Sequence, residues 1–349
     1  MPRSIRDYRL YGAITRQPEE LRRLLAADEP VAAAAARIGG AGRVFTIGIG
    51  TSSNAAAAAA AMLRAAGVDA RPWASHDFVS YPPALRADDA AIVFTHSGRK
   101  RFSRGVLAPL AAAGVGAVVI TGTETALTAD DLVAGTVVLK TVARDPSAMF
   151  TVSHTAAMLL AARVADAVRP GSVGDLAAVP DAVAGAIALE PEIEALARAW
   201  APRGAIVALG AGPHEPSAHE AHIKIAEASR RPVRSYAVEQ LVHGPQVQVT
   251  ADQSFLVFAG EGPGLARTRD VVAFVRALGC DVAWVSATDA PDGARELRIP
   301  AVAEELAPIV EAPPSQLLAG HLAALADVDG DNFRSDDEAH RAAMQALGL

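Results

Sequence analysis

Two stretches of this chain read as copies of one another. VFTIGIGTSSNAAA (44–57) and IVALGAGPHEPSAHEA (206–221) each run from an apolar strand through a glycine turn into a helix. A strand with no polar alternation is buried on both faces, so it needs parallel neighbours and helices on either side. Those neighbours are present. Apolar runs at 43–49, 90–96, 115–121 and 136–140 are accompanied by segments of helical length at 55–66, 102–113 and 151–168. The pattern restarts with a strand at 204–212 and a helix near 217–229. A strand at 254–260, a helix near 265–278 and a strand at 281–286 complete it. This period is too long for a solenoid and predicts a duplicated α/β domain, each copy with a mostly parallel sheet. A length of 349 residues fits two domains of about 100–200 residues each. The link is the Pro- and Gly-rich run RPGSVGDLAAVP (169–180) with a helix over 181–200.

Charge narrows the partners. The formal net charge is −7 with both signs interspersed. No basic stripe marks a nucleic-acid surface. A small anion remains an admissible ligand, because a few cations and backbone dipoles outweigh net charge locally. The single cysteine, Cys280, opens the strand-like run CDVAWVS and reads as a buried structural thiol. The N-terminus MPRSIRDYRLYG has no apolar core of a signal peptide, and no apolar run of about 20 residues reads as a membrane span. A soluble cytoplasmic protein is the expectation. The Asp-rich tail DVDGDNFRSDDEAHR lacks the fixed offsets of a calcium loop.

The glycine turns are where ligands are expected. GIGTSS (48–53) follows a strand and opens a helix, so Gly50, Thr51, Ser52 and Ser53 offer backbone N–H groups, hydroxyls and a positive helix end to an anion. The dinucleotide fingerprint is not met, since Ser53 replaces its third glycine. The plainer reading is that the hydroxyls only cap the helix. FTHSGRKRFS (94–103) repeats the design: Thr95, His96, Ser97 and Gly98 stand at the carboxyl end of a strand, with Arg99, Lys100 and Arg101 opening the next helix. Cations there oppose the macrodipole and call for an anion, unless they pair with surface carboxylates.

The third feature is HEAHIKIAEASRRPVRSYAVEQLVHGPQV (219–247). Lys224 and Glu227, three residues apart, project from one helix face. Partial burial raises a carboxylate toward working pH and a nearby cation lowers it, and the sequence leaves the winner open. The plain alternative is a surface salt bridge. His243 precedes Gly244-Pro245 at a helix end, with Glu239 four residues earlier to orient its ring, or it is a capping or core histidine. His214, His219 and His222 with Glu215 and Glu220 offer a rival metal site, although the spacing is not His-Glu-x-x-His. No metal is expected.

These motifs together resemble the sugar isomerase (SIS) domain family, specifically the isomerase half of glucosamine-6-phosphate synthase. Three matches carry the resemblance over residues 30–330: Gly50-Thr51-Ser52, the altered phosphate loop Thr95-His96-Ser97-Gly98-Arg99-Lys100, and Lys224-x-x-Glu227 followed sixteen residues later by His243-Gly244-Pro245. A fourth, Ser147 within Pro146-Ser147-Ala148, is a loose echo. The resemblance implies two tandem SIS domains, each a three-layer αβα sandwich with a flavodoxin-like or Rossmann-like sheet. They would cover 29–170 and 201–326, with an N-terminal segment (1–28), a linker and helix (171–200) and a tail (327–349). It implies a cofactor-independent homodimer with its site at the subunit interface. There Glu227 would move a proton between C1 and C2 of an open-chain sugar, His243 would come from across the interface to open the ring, and Lys224 would lie beside the sugar oxygens. The first-copy loops would hold the anionic end.

Departures shape the functional expectation. The chain shows no glutaminase domain, and no lysine follows Lys224, so a tail-lysine Schiff base is not expected. Arg99 and Lys100 make the anion loop more basic than the family's. The expected activity is aldose–ketose isomerisation of an anionic hexose, a 6-phosphate first and a sulfonated sugar such as sulfoquinovose second. A deaminase or deglycase of amino-sugar phosphates, or a synthase-like aminotransferase, would need the same enolisation. A non-catalytic sugar-phosphate sensor is the alternative from another class.

Overall fold

The computed structural model describes residues 3–347; the first two residues of the N-terminal segment and the last two of the tail lie outside the described residues. Among the described residues, ten strands form two five-stranded sheets: β1 (Arg43–Gly48), β2 (Ala70–Ala74), β3 (Asp89–Phe94), β4 (Gly116–Thr121) and β5 (Val137–Lys140) in one, and β6 (Ile206–Gly210), β7 (Val233–Ala237), β8 (Ser254–Phe258), β9 (Asp281–Ser286) and β10 (Arg295–Arg298) in the other. Every pairing is parallel. The strand orders are β2-β1-β3-β4-β5 and β7-β6-β8-β9-β10, one topology twice. That order reverses direction beside β1 and β6, at the point where open α/β sheets receive ligands.

The chain divides into two compact units. One holds the first sheet, residues 17–144 and 152–180. The other holds the second sheet, with the N-terminal residues through Arg16, Asp145–Thr151 and the chain from Asp181 onward. In the first, Phe45, Ile47, Val93 and Val119 of the sheet pack on Phe78, Leu107 and Leu110. In the second, Leu209, Phe255, Val257 and Trp284 pack on Val271, Val272 and Val275. Cys280 is buried in that core, where burial raises its thiol pKa.

The interior strands lie where the apolar runs place them. The helix expected over 102–113 is instead two short ones, Arg101–Gly105 and Leu107–Ala112. The linker helix is likewise two, Val179–Ile187 and Glu190–Trp200, the second opened by Pro191 in its first turn, where a missing N–H costs nothing. The longest helix, Ala307–Leu325, is buried along almost its whole length and packs on Glu215–Ser229 and Glu190–Trp200. Among the described residues, no helix is long and apolar enough to cross a membrane.

Candidate active site

In the first-sheet unit, β1 ends at Gly48, where an added Cβ would overlap the Ser52 carbonyl. Gly50 follows at φ +58°, a left-handed backbone that glycine adopts at no steric cost. Gly50 is also the N-cap of the Thr51–Ala65 helix and its carbonyl accepts from Ser53 N at 2.8 Å. The capping reading of the hydroxyls therefore fails: Thr51, Ser52 and Ser53 occupy the first helical turn and none of them is the cap. All three are half-buried. Among the described residues, the Ser52 and Ser53 hydroxyls make no hydrogen bond, which leaves them available to a ligand.

The second loop leaves β3 beside this turn. Thr95 is buried, and its carbonyl accepts from Thr121 Oγ1 at 2.6 Å. The His96 ring lies against Gly122, where a Cβ would come within 2.7 Å of Cε1. Ser97 Oγ accepts from Arg99 N at 3.3 Å. Gly98, at φ +65°, leaves no room for a side chain beside Thr125 and Leu127. Arg99 and Lys100 are exposed and form no ion pair among the described residues, so no surface carboxylate of the chain neutralises them. The helix they open is only five residues long. Its dipole is weak, and the conflict expected from the macrodipole largely disappears.

In the second-sheet unit, Lys224 sits midway along the Glu215–Ser229 helix and is fully buried. Its Nζ donates to Glu227 Oε2 at 2.6 Å and stands 3.6 Å from Glu220 Oε1. Burial opposes the ammonium, but Glu227 and Glu220 outweigh it and its pKa rises. Glu227 keeps 24% of its side chain exposed. Here burial prevails over Lys224, and the carboxyl pKa is raised. The pair is therefore not a solvated surface bridge. Asp145, in the same unit, adds to the negative field on Lys224 and accepts from Thr151 N and Oγ1. Ser147 is buried in that segment, its Oγ accepting from Met149 N at 3.1 Å. The sequence points to Glu220 only as a member of the rival metal set; its place one turn before Lys224 is the signal for the role it has here.

His243 caps the Val238–Val242 helix, with its side chain 68% exposed. Its Nε2 is 2.9 Å from Glu239 Oε1, and Arg267 Nε donates to Glu239 Oε2 at 2.6 Å. Arg267 first, then His243, hold the Glu239 carboxyl down at about 2. Glu239 is thus both solvated and bonded to the ring. Among the described residues, His243 has no hydrogen bond or ion pair to Lys224 or Glu227.

The rival histidines part company. His219 and His222 both turn a ring nitrogen to Ser235 Oγ, at 2.9 and 3.1 Å. His214 turns inward to Glu311. Among the described residues, no group of three or more His, Cys, Asp or Glu is arranged to hold a metal ion.

Comparison with known proteins adds to this geometry. No protein-family model matches the chain. It is 31% identical over 180 residues to the glutamine–fructose-6-phosphate aminotransferase of Xanthomonas campestris, a match that covers 50% of this chain and 30% of that protein. The resemblance read from the motifs is borne out. The chain spans about a third of the length of the curated relatives it matches. Among solved structures, the C-terminal domain of the glucosamine–fructose-6-phosphate aminotransferase of Francisella tularensis superposes with a TM-score of 0.82 at 19% identity, over 93% of this chain and 98% of that one. The tagatose-6-phosphate ketose/aldose isomerase of Escherichia coli does so at 0.78 and 20% identity, over 95% and 96%. These two likenesses show a shared fold.

Proposed function

We propose that the chain is a cofactor-independent aldose–ketose isomerase of an anionic hexose, a 6-phosphate first and a sulfonated sugar second. The observation that carries this reading is the Lys224–Glu227 pair. A carboxylate that moves a proton α to a carbonyl needs a pKa raised toward neutrality, and a cation beside it stabilises the enediolate. Glu227 removes the C2 hydrogen of the aldose, the cis-enediol forms, and Glu227 returns the proton to C1 while a proton passes from O2 to O1. Lys224 steadies the negative oxygen. The partner subunit's His243 protonates the ring oxygen on opening, a role that suits an exposed imidazole oriented by Glu239. The anionic end binds to Gly50, Thr51, Ser52, Ser53, Thr95, His96, Ser97, Gly98, Arg99 and Lys100, with Ser147 as a further sugar contact. In this reading each sheet with its helices is one SIS domain (29–170 and 201–326), and the protein works as a cytoplasmic homodimer.

A second reading draws on the names of the relative and of the Francisella structure: an aminotransferase of fructose 6-phosphate. The two are separated by incubating the protein with fructose 6-phosphate, with and without ammonia or glutamine, and resolving the products. Aldose formation without a nitrogen donor supports the isomerase. Glucosamine 6-phosphate formed only with the donor supports the aminotransferase. Tight binding of anionic sugars with no product of either kind overturns both and leaves a sensor.

A further inference from the structure

The glycine turn is built twice, but only the first copy keeps its hydroxyls. Gly210 repeats Gly48: an added Cβ would overlap the His214 carbonyl as it would the Ser52 carbonyl in the first copy. Gly212 repeats Gly50, at φ +56° against +58°. The sheet registers agree as well, with Ile47 opposite Val93 and Leu209 opposite Val257. By this alignment His214 stands where Ser52 stands, Gly260 where His96 stands, and Gly262 where Gly98 stands.

The second turn is consequently filled from within. The His214 side chain is 3% exposed, and its ring reaches the loop after β8, where a Cβ on Gly260 would lie 2.6 Å from Nε2. Behind it, Nδ1 donates at 2.6 Å to Glu311, which is fully buried and also accepts from Ser217 Oγ. In front, Nε2 makes no hydrogen bond among the described residues. Facing it is Glu304 Oε1 at 3.4 Å, an ion pair too long for a good hydrogen bond. The Glu304 carboxylate lies against the Gly262 backbone, in the space a Cβ there would occupy, and its side chain is 21% exposed. Burial opposes the imidazolium, but Glu311 and Glu304 outweigh it and hold the His214 pKa at about 10.

We infer that the switch point of the second sheet is an oxyanion site whose ligand is the chain's own Glu304 carboxylate. A buried cation whose outer N–H makes no hydrogen bond among the described residues and a glycine loop that leaves room for oxygens meet at the Glu304 carboxylate. The carboxylate that occupies it keeps free anions out. Removing that carboxylate opens the site to a small one supplied in solution.

The test is chemical rescue in the full chain. Melting of wild type and E304A is followed at pH 7 in sodium formate, acetate or phosphate, against sodium chloride at equal ionic strength. E304A is expected to melt several degrees below wild type. Formate or acetate should recover at least half of that loss, phosphate less because of its size, and wild type should not respond. Recovery by phosphate alone would overturn the carboxylate assignment. So would an E304A melt equal to wild type, a loss that no oxyanion recovers, or an equal response in wild type. If E304A does not fold, E304Q keeps the shape and loses the charge. The His214 ring proton exchange and titration by NMR should then shift toward those of an ordinary histidine, and an unshifted titration would overturn the inference.

Discussion

Replacing Lys224 with methionine tests whether the buried ion pair is a charged assembly. Methionine keeps the length of the aliphatic stem, so little cavity opens, and the change isolates the ammonium. In the native protein Lys224 is fully buried, Glu220 is 2% exposed and Glu227 is 24% exposed. Removing one partner from a buried pair costs about 3–5 kcal/mol, because the other charge stays behind; an exposed pair costs about 0–1 kcal/mol. With Lys224 gone, burial acts on Glu227 unopposed and its pKa, already raised, rises further. A carboxyl whose folded pKa lies above its unfolded one binds its proton more tightly when folded, so it penalises the fold at high pH and releases that penalty as pH falls. Urea denaturation of K224M should show a loss of about 3–5 kcal/mol at pH 7.5 and a distinctly smaller loss at pH 5.5. A deficit near zero, or one equal at both pH values, would refute the reasoning.

His214 gives a second pH prediction. Its folded pKa of about 10 lies above the ordinary 6.5, so its stabilisation is complete below about pH 6.5 and drains as pH rises toward 10, by several kcal/mol. Denaturation midpoints across that range should fall for wild type and fall less for H214Q; parallel slopes would contradict it. Gly48→Ala drives a Cβ into the Ser52 carbonyl, which is backbone and must move. A loss of about 1–3 kcal/mol or more is expected in a thermal melt, and an unchanged Tm would show that the turn is not held as described. R99A with K100A should leave Tm unchanged, because neither side chain is ion-paired among the described residues, yet weaken anionic-sugar binding and its salt dependence. Equal affinity would remove these cations from the site.

The interior strands were legible because each is an unbroken apolar run. The strands that went unread, β2, β7 and β10, all lie at sheet edges. Their sequences, ARPWA, VRSYA and RELR, carry polar groups toward solvent and so give no apolar signal. The Ala307–Leu325 helix was hidden by the opposite problem. It is buried on all sides, with no apolar stripe to give a period, and Pro313-Pro314 reads as a break. That omission propagates into the site. His214 read as one of three clustered histidines because its partner, Glu311, is 97 residues away on that unread helix. Lys224 and Glu227, three residues apart on one helix, needed no distant information, and their bond is where the spacing places it. The sign of the Glu227 shift did need it, since burial comes from the packed helix and not from the residues beside it.

The proposed chemistry turns on Glu227 as the proton carrier. The most direct measurement is deuterium uptake from D2O at C1 of fructose 6-phosphate, or of the matching sulfosugar, followed by NMR alongside binding. Wild type should exchange that hydrogen, and E227Q should bind the sugar yet lose exchange by about 10²–10⁴-fold. Exchange in E227Q at the wild-type rate, or wild type that binds without exchanging, would contradict the account.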